Sequence, residues 1–149
     1  MLGRRLALAA SLVLATAAIG AEFHSTGEST VLYDAPSVKA KPLFVLGRDV
    51  PVEIIVSVEG WYKIRDVTGS VAWMEKKSVA DRRTVVVRAS AADVLASPEA
   101  NAAVVFKAEQ NVLLELADAS YSSSTPGWAK VRHRDGQTGY VRISQVWGL

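Results

Sequence analysis

Cysteine is absent from the 149 residues, and histidine occurs only twice, at His24 and His133. The first absence excludes a disulfide framework and lipid attachment through a thiol. The two together exclude a Cys–His nucleophile pair, and the wide separation of the histidines gives no two-histidine metal spacing. No glycine-rich phosphate loop follows a strand-like run, and the serines of YSSST (Tyr121 to Thr125) fit a loop better than an activated nucleophile. Asp and Glu are scattered, without a pairing that spacing alone could define. The expectation is a chain that is not an enzyme, with no cofactor and no metal site.

Long apolar runs are equally scarce. The one that exists is Leu6 to Ala21, 16 uncharged residues preceded by Arg4 and Arg5 and ending in the small residues Gly20 and Ala21. A charged start, an apolar middle and a small-residue end make a secretory signal, cut near Gly20 to Ala21 and leaving a chain from Ala21 or Glu22. The run is short for a membrane span of about 20 residues. A periplasmic or secreted protein with no stable span after cleavage is expected. Excess charge goes with the signal: removing Arg4 and Arg5 from the 17 basic residues leaves 15, which the 15 acidic residues cancel. A neutral chain gives no reason to expect nucleic acid or an anionic membrane as the main partner.

What the sequence does have is a repeat. GWYKIRD (Gly60 to Asp66) returns as GWAKVRH (Gly127 to His133), although only four tryptophans are present. Upstream, at an offset of 62, Pro36, Phe44, Val50 and Glu53 meet Pro98, Phe106, Val112 and Glu115. Downstream, at an offset of 67, TGSVAWM (Thr68 to Met74) meets DGQTGYV (Asp135 to Val141). The five-residue change falls in the polar stretch Asp118 to Pro126, as a lengthened loop would. A unit of about 55 residues has been duplicated, a size at which one small core is just possible.

Within each unit the period is two, which means strands. Val50, Val52, Ile54 and Val56 share one predicted face; Tyr62 and Ile64 alternate with Trp61, Lys63 and Arg65, and Ala129 and Val131 with Trp128, Lys130 and Arg132. Thr68-Gly69 and Asp135-Gly136 supply tight turns. Phe44 and Phe106 are predicted to fill two cores, Trp147 to plug the second, and Glu53 and Glu115 to pair with Lys and Arg on the neighbouring outer face. A short 3₁₀ turn is predicted near Lys76 to Ser78. The connection Ala80 to Ala91 contains neither Pro nor Gly, so the units should lie close together.

An aliphatic first strand, a small-Pro-x loop, Gly-Trp-x-Lys-aliphatic-Arg, a glycine turn and a final small-aromatic-aliphatic triplet, Ala-Trp-Met in the first copy and Gly-Tyr-Val in the second, met twice in order, resemble tandem bacterial SH3 domains. VLYDAP (Val31 to Pro36) and GQTGYV (Gly136 to Val141) carry the local likeness. The resemblance implies an all-β fold of two small five-stranded barrels: residues 1–21 signal, 22–28 N-terminal arm, 29–81 first barrel and 82–149 second barrel. It also implies a ligand groove lined by Tyr33, Trp61 and Trp73 in the first unit and by Trp128 and Tyr140 in the second. The residues that would complete a polyproline ridge are replaced by Glu75 and Ser78, and by Arg142 and Gln145, while Leu95 stands in the place of Tyr33. That argues against proline-rich peptides. Family members outside the cell imply instead a non-catalytic module that binds peptidoglycan, or one that docks on an envelope protein.

Two readings stay open at single residues. Trp61 and Trp128 either cap a barrel or touch ligand. The run KVRHRDG (Lys130 to Gly136) is either a solvated hairpin tip or, through Arg132 and Arg134, a site for an anionic partner.

Overall fold

The computed structural model describes residues 20–118 and 125–149, so the predicted signal up to Ile19 and the centre of the predicted long loop lie outside the described residues. Two antiparallel sheets of identical order account for the fold. The first contains β1 (Glu22–Thr26), β2 (Thr30–Tyr33), β3 (Pro42–Leu46), β4 (Pro51–Val58), β5 (Trp61–Arg65), β6 (Val71–Glu75) and β7 (Val79–Ala80). The second contains β8 (Thr84–Val87), β9 (Ala91–Leu95), β10 (Val104–Glu109), β11 (Leu113–Leu116), β12 (Trp128–Arg132), β13 (Thr138–Arg142) and β14 (Val146–Trp147). Their orders are β3-β2-β6-β5-β4-β1-β7 and β10-β9-β13-β12-β11-β8-β14. In each unit a 3₁₀ turn, Lys76–Ser78 or Ile143–Gln145, leads into the last strand. Among the described residues no helix is long and apolar enough to cross a membrane.

The repeat thus holds at the level of strand pairing, but each sheet has seven paired strands where five were expected. One of them corrects the predicted arm. Glu22–Thr26 is a strand that pairs with β4, Phe23 opposite Glu53, and with β7. Its counterpart is Thr84–Val87, whose three valines announce a strand; β1 conceals its role because the side chains it buries include Ser25 and Thr26. Their hydroxyls are satisfied internally, Ser25 Oγ with Thr84 Oγ1 at 2.7 Å and Thr26 Oγ1 donating to the Gly47 carbonyl at 2.7 Å, so burying them carries no desolvation penalty of the usual size.

Each unit has its own core. Leu32, Val52, Ile64, Ala72 and Met74 form the first, with Phe44 against them. Leu114, Val131 and Val141 occupy the corresponding places in the second, with Phe106 alongside. The predicted alternation of β4 fails after Ile54. Ile54 faces Ile64 but Val56 faces Lys63, so Ile55 is an extra residue in a bulge, and Val56 turns to the outer face. Glycine precedes each repeated tryptophan because the turn before β5 and β12 needs positive φ, +77° at Gly60 and +84° at Gly127.

Gly139 is fixed by a close approach instead. A Cβ there would sit 2.6 Å from the Leu95 carbonyl oxygen and 2.7 Å from a Val94 methyl, whereas the first unit accommodates Ala72 at the same repeat position. Gly139→Ala is expected to destabilise the chain by about 1–3 kcal/mol through overpacking, read by urea unfolding. Wild-type stability would mean that β9 can move away from β13.

The units are joined by more than the connector. Thr84 Oγ1 donates to the Asp49 carbonyl at 2.7 Å and bonds to Ser25 Oγ at 2.7 Å, while Arg83 Nη2 ties the connector to the second unit by donating to the Gly148 carbonyl at 2.7 Å. Trp147, predicted to plug the second barrel, meets Phe23 of the first edge to face, with centroids 5.0 Å apart. An aromatic pair across the junction replaces the plug because β14 lies at the edge of its sheet beside β8, next to the first unit.

Candidate ligand-binding surfaces

Residues directly opposed in neighbouring antiparallel strands share a face, and the registers of β4, β5, β6 and β2 therefore assemble one outer surface on the first unit. Val58, Trp61 and Glu75 form one row across it. Val56, Lys63, Trp73 and Tyr33 form the next. Tyr33 and Trp61 meet edge to face with centroids 5.8 Å apart, and Lys63 Nζ lies 5.9 Å from the Trp73 ring centre. All three aromatic residues remain partly exposed, and Val56 and Val58 are each 39% exposed. The three sites foreseen for this unit come together. Lys63 was expected on the Trp61 face but neither it nor Glu75 was assigned to the site, and the two valines were not foreseen there, since the bulge at Ile55 is what brings Val56 and Val58 onto this face.

The corresponding face of the second unit is built differently. Trp128 is opposite Arg142, and its face is covered by that guanidinium, 4.5 Å from the ring centre. Tyr140 pairs with Leu95, which is itself buried. Trp128 is only 8% exposed. Tyr140 stays partly exposed but has no aromatic partner comparable to the Tyr33–Trp61 pair among the described residues.

The charged residues diverge as well. Arg65 Nη1 donates to Glu53 Oε2 at 2.8 Å, the ladder expected for the first unit. Glu115 and Arg132 occupy the same register in the second, yet no ion pair closes between them among the described residues. Arg132, His133 and Arg134 line a cleft between the units rather than only a solvated tip, because the hairpin end faces the β3–β4 turn. His133 is engaged by Asp135 at 3.0 Å and packs near Phe106. The Gln137 backbone N–H, donated to Asp135, holds that carboxyl below the usual carboxylate range, and His133 adds to the effect. His24, expected in a loose arm, bonds to Glu22 at 2.9 Å and stacks on Tyr62. Among the described residues no cluster of His, Asp and Glu could hold a metal ion.

Two partners in the cleft, Arg48 on the β3–β4 turn and Arg82 on the connector, went unrecognised in the sequence, as did that turn. Asp49 and Asn111 are the two non-glycine residues with left-handed backbone among the described residues, at φ +64° and +69°. They are 62 residues apart, the offset of the repeat, and both are residue types that tolerate this conformation. That coincidence was legible and marks the two turns as equivalent.

The bacterial SH3 domain family matches twice, at residues 26–81 and 88–148. The chain belongs to the bacterial SH3 family. Bacterial SH3 domains are typically non-catalytic and are often cell-wall binding modules. A search of curated proteins finds no match. Solved structures with similarity include NlpC2 from Trichomonas vaginalis, at 15% identity and a TM-score of 0.37, covering 84% of this chain and 46% of that one. NlpC1 from the same organism shows 16% identity and a TM-score of 0.37, covering 83% and 44%. An NlpC/P60 family protein from Bacillus cereus ATCC 10987 shows 12% identity and a TM-score of 0.40, covering 85% and 56%. This tandem SH3 chain spans about half the length of these proteins.

Proposed function

We propose that this chain is a non-catalytic binding module of the bacterial envelope, exported by its N-terminal segment, whose first SH3 unit takes peptidoglycan, as glycan or stem peptide, across its outer aromatic face. The observation that carries the reading is the half-exposed set Tyr33, Trp61 and Trp73, held by strand register beside Lys63 and Glu75. Aromatic faces offer flat apolar contact to sugar rings and to the methyl groups of short peptides. The lysine and the glutamate supply a donor and an acceptor for hydroxyls, amides and charged termini. The frequent role of bacterial SH3 domains in wall binding supports it.

A second reading, docking on an envelope protein, has its own support. Val31 and Val45 oppose each other on the β2–β3 hairpin, Leu43 lies two residues from Val45, and β3 is an edge strand; these side chains are 37%, 62% and 45% exposed. Exposed apolar patches of this kind mark protein contacts.

Co-sedimentation of residues 22–149 with purified sacculi distinguishes the two. Saturable pelleting, released by soluble glycan strands or stem peptides, is expected. A folded protein that stays in the supernatant would remove the wall reading and direct attention to the hairpin and a protein partner.

A further inference from the structure

The cleft lined by Arg132 and Arg134 has a volume of about 520 Å³, and its opposite wall belongs to the first unit and the connector. That wall contributes Arg48 and Arg82, so four guanidiniums face one cavity against two carboxylates, Asp49 and Glu115. Asp49 is already committed. Arg82 Nε donates to its Oδ1 at 2.8 Å, and Arg48 Nε lies 3.6 Å from its Oδ2. The residues corresponding to Glu115 and Arg132 in the first unit, Glu53 and Arg65, close into an ion pair; here the pair stays open, and the side chains of Arg132 and Arg134 have no hydrogen bond or ion pair among the described residues.

Guanidiniums brought together without enough counter-charge repel one another, and a shared oxyanion removes that repulsion while accepting paired N–H donors. Ser25, Thr84 and the Asp49 carbonyl tie the two walls together, and Val112 and Leu113 give the cavity an apolar lining. Its size is that of a small-ligand site.

We propose that this inter-unit cleft is an oxyanion site, gripping a carboxylate or phosphate group between guanidiniums from both SH3 units. No residue of the aromatic face lines it, so it stands or falls independently of the peptidoglycan reading.

The test is a titration of residues 22–149 at low salt with inorganic phosphate and, separately, with N-acetyl-diglycine, whose single charge is its carboxylate. Backbone amide shifts of residues 111–115 and 132–134 report binding. At least one probe should saturate. Arg132→Gln and Arg134→Gln should each weaken it about tenfold, the effect of losing one charge-assisted hydrogen bond; both side chains are exposed, so folding should be unaffected. Arg48→Gln, in the other unit, should weaken it as well. Arg88→Gln removes an exposed guanidinium outside the cleft and should leave it unchanged. Preference for phosphate would identify a phosphorylated source, and preference for the peptide a carboxylate source; both support the site. No saturation by either probe, equal weakening by Arg88→Gln, or indifference to Arg48→Gln would overturn it.

Discussion

Trp128→Ala should destabilise the chain by about 3–5 kcal/mol, as removal of a buried tryptophan does, whereas Trp61→Ala should cost only about 1–2 kcal/mol, mainly its edge contact with Tyr33 and part of its covered area. Binding to sacculi should reverse the order. A central aromatic anchor contributes more than 2 kcal/mol to an interface, so Trp61→Ala should weaken sedimentation about thirtyfold or more, while Trp128→Ala, studied where it remains folded, should bind as wild type does. The two residues occupy the same place in the same motif. Their neighbours separate them: Glu75 opposite Trp61 leaves the ring open, while Arg142 opposite Trp128 lies over the ring at 4.5 Å. Urea unfolding and sedimentation of the two variants side by side check this. Equal loss of binding in both would return Trp128 to the ligand site and assign the two units the same role.

Much of this architecture was legible in the sequence because it rests on local, periodic signals. The duplication, the alternating strands and the glycine before each tryptophan follow from residue spacing, whereas Phe44 and Phe106, expected to fill the cores, lie partly buried against aliphatic cores. β1 was not legible, since Ser25 and Thr26 are polar residues buried by hydrogen bonds to Thr84 and Gly47, and nothing in EFHST shows that those acceptors await it. The outer aromatic face was legible in its aromatics but not in its valines, because one extra residue at Ile55 reverses the facing of Val56. The substitutions Glu75 to Arg142 and Tyr33 to Leu95 were visible, but their effect on Trp128 depends on which residues oppose each other across β12, β13 and β9. The cleft was the least legible. It joins Arg48 to Arg134 across 86 positions through a junction that no local pattern encodes.

That junction turns on Gly148. Gly148 has φ +117°, and a Cβ there would lie 2.8 Å from Pro51 Cβ and 3.0 Å from the Thr84 carbonyl oxygen. Gly148→Ala should therefore cost about 2–5 kcal/mol, from backbone strain of about 1–3 kcal/mol and overpacking of similar size. The loss should concentrate between the units. The Gly148 carbonyl accepts the bond from Arg83 Nη2, and burial already pulls that guanidinium down from its usual value while its Nε has no hydrogen-bond partner among the described residues. Moving the carbonyl leaves a partly buried cation with less to hold it, which is costlier than losing the bond alone. Pro51 in turn flanks Val52, at the heart of the first core, so the strain reaches both units. Unfolding in urea followed by near-ultraviolet circular dichroism should lose the signal of the Phe23–Trp147 pair before the sheets melt, splitting the transition in the variant. Unchanged, single-step unfolding would mean that the two SH3 units do not depend on this contact for their packing, and that the junction is held by the remaining contacts of Ser25, Asp49, Thr84 and the Phe23–Trp147 pair.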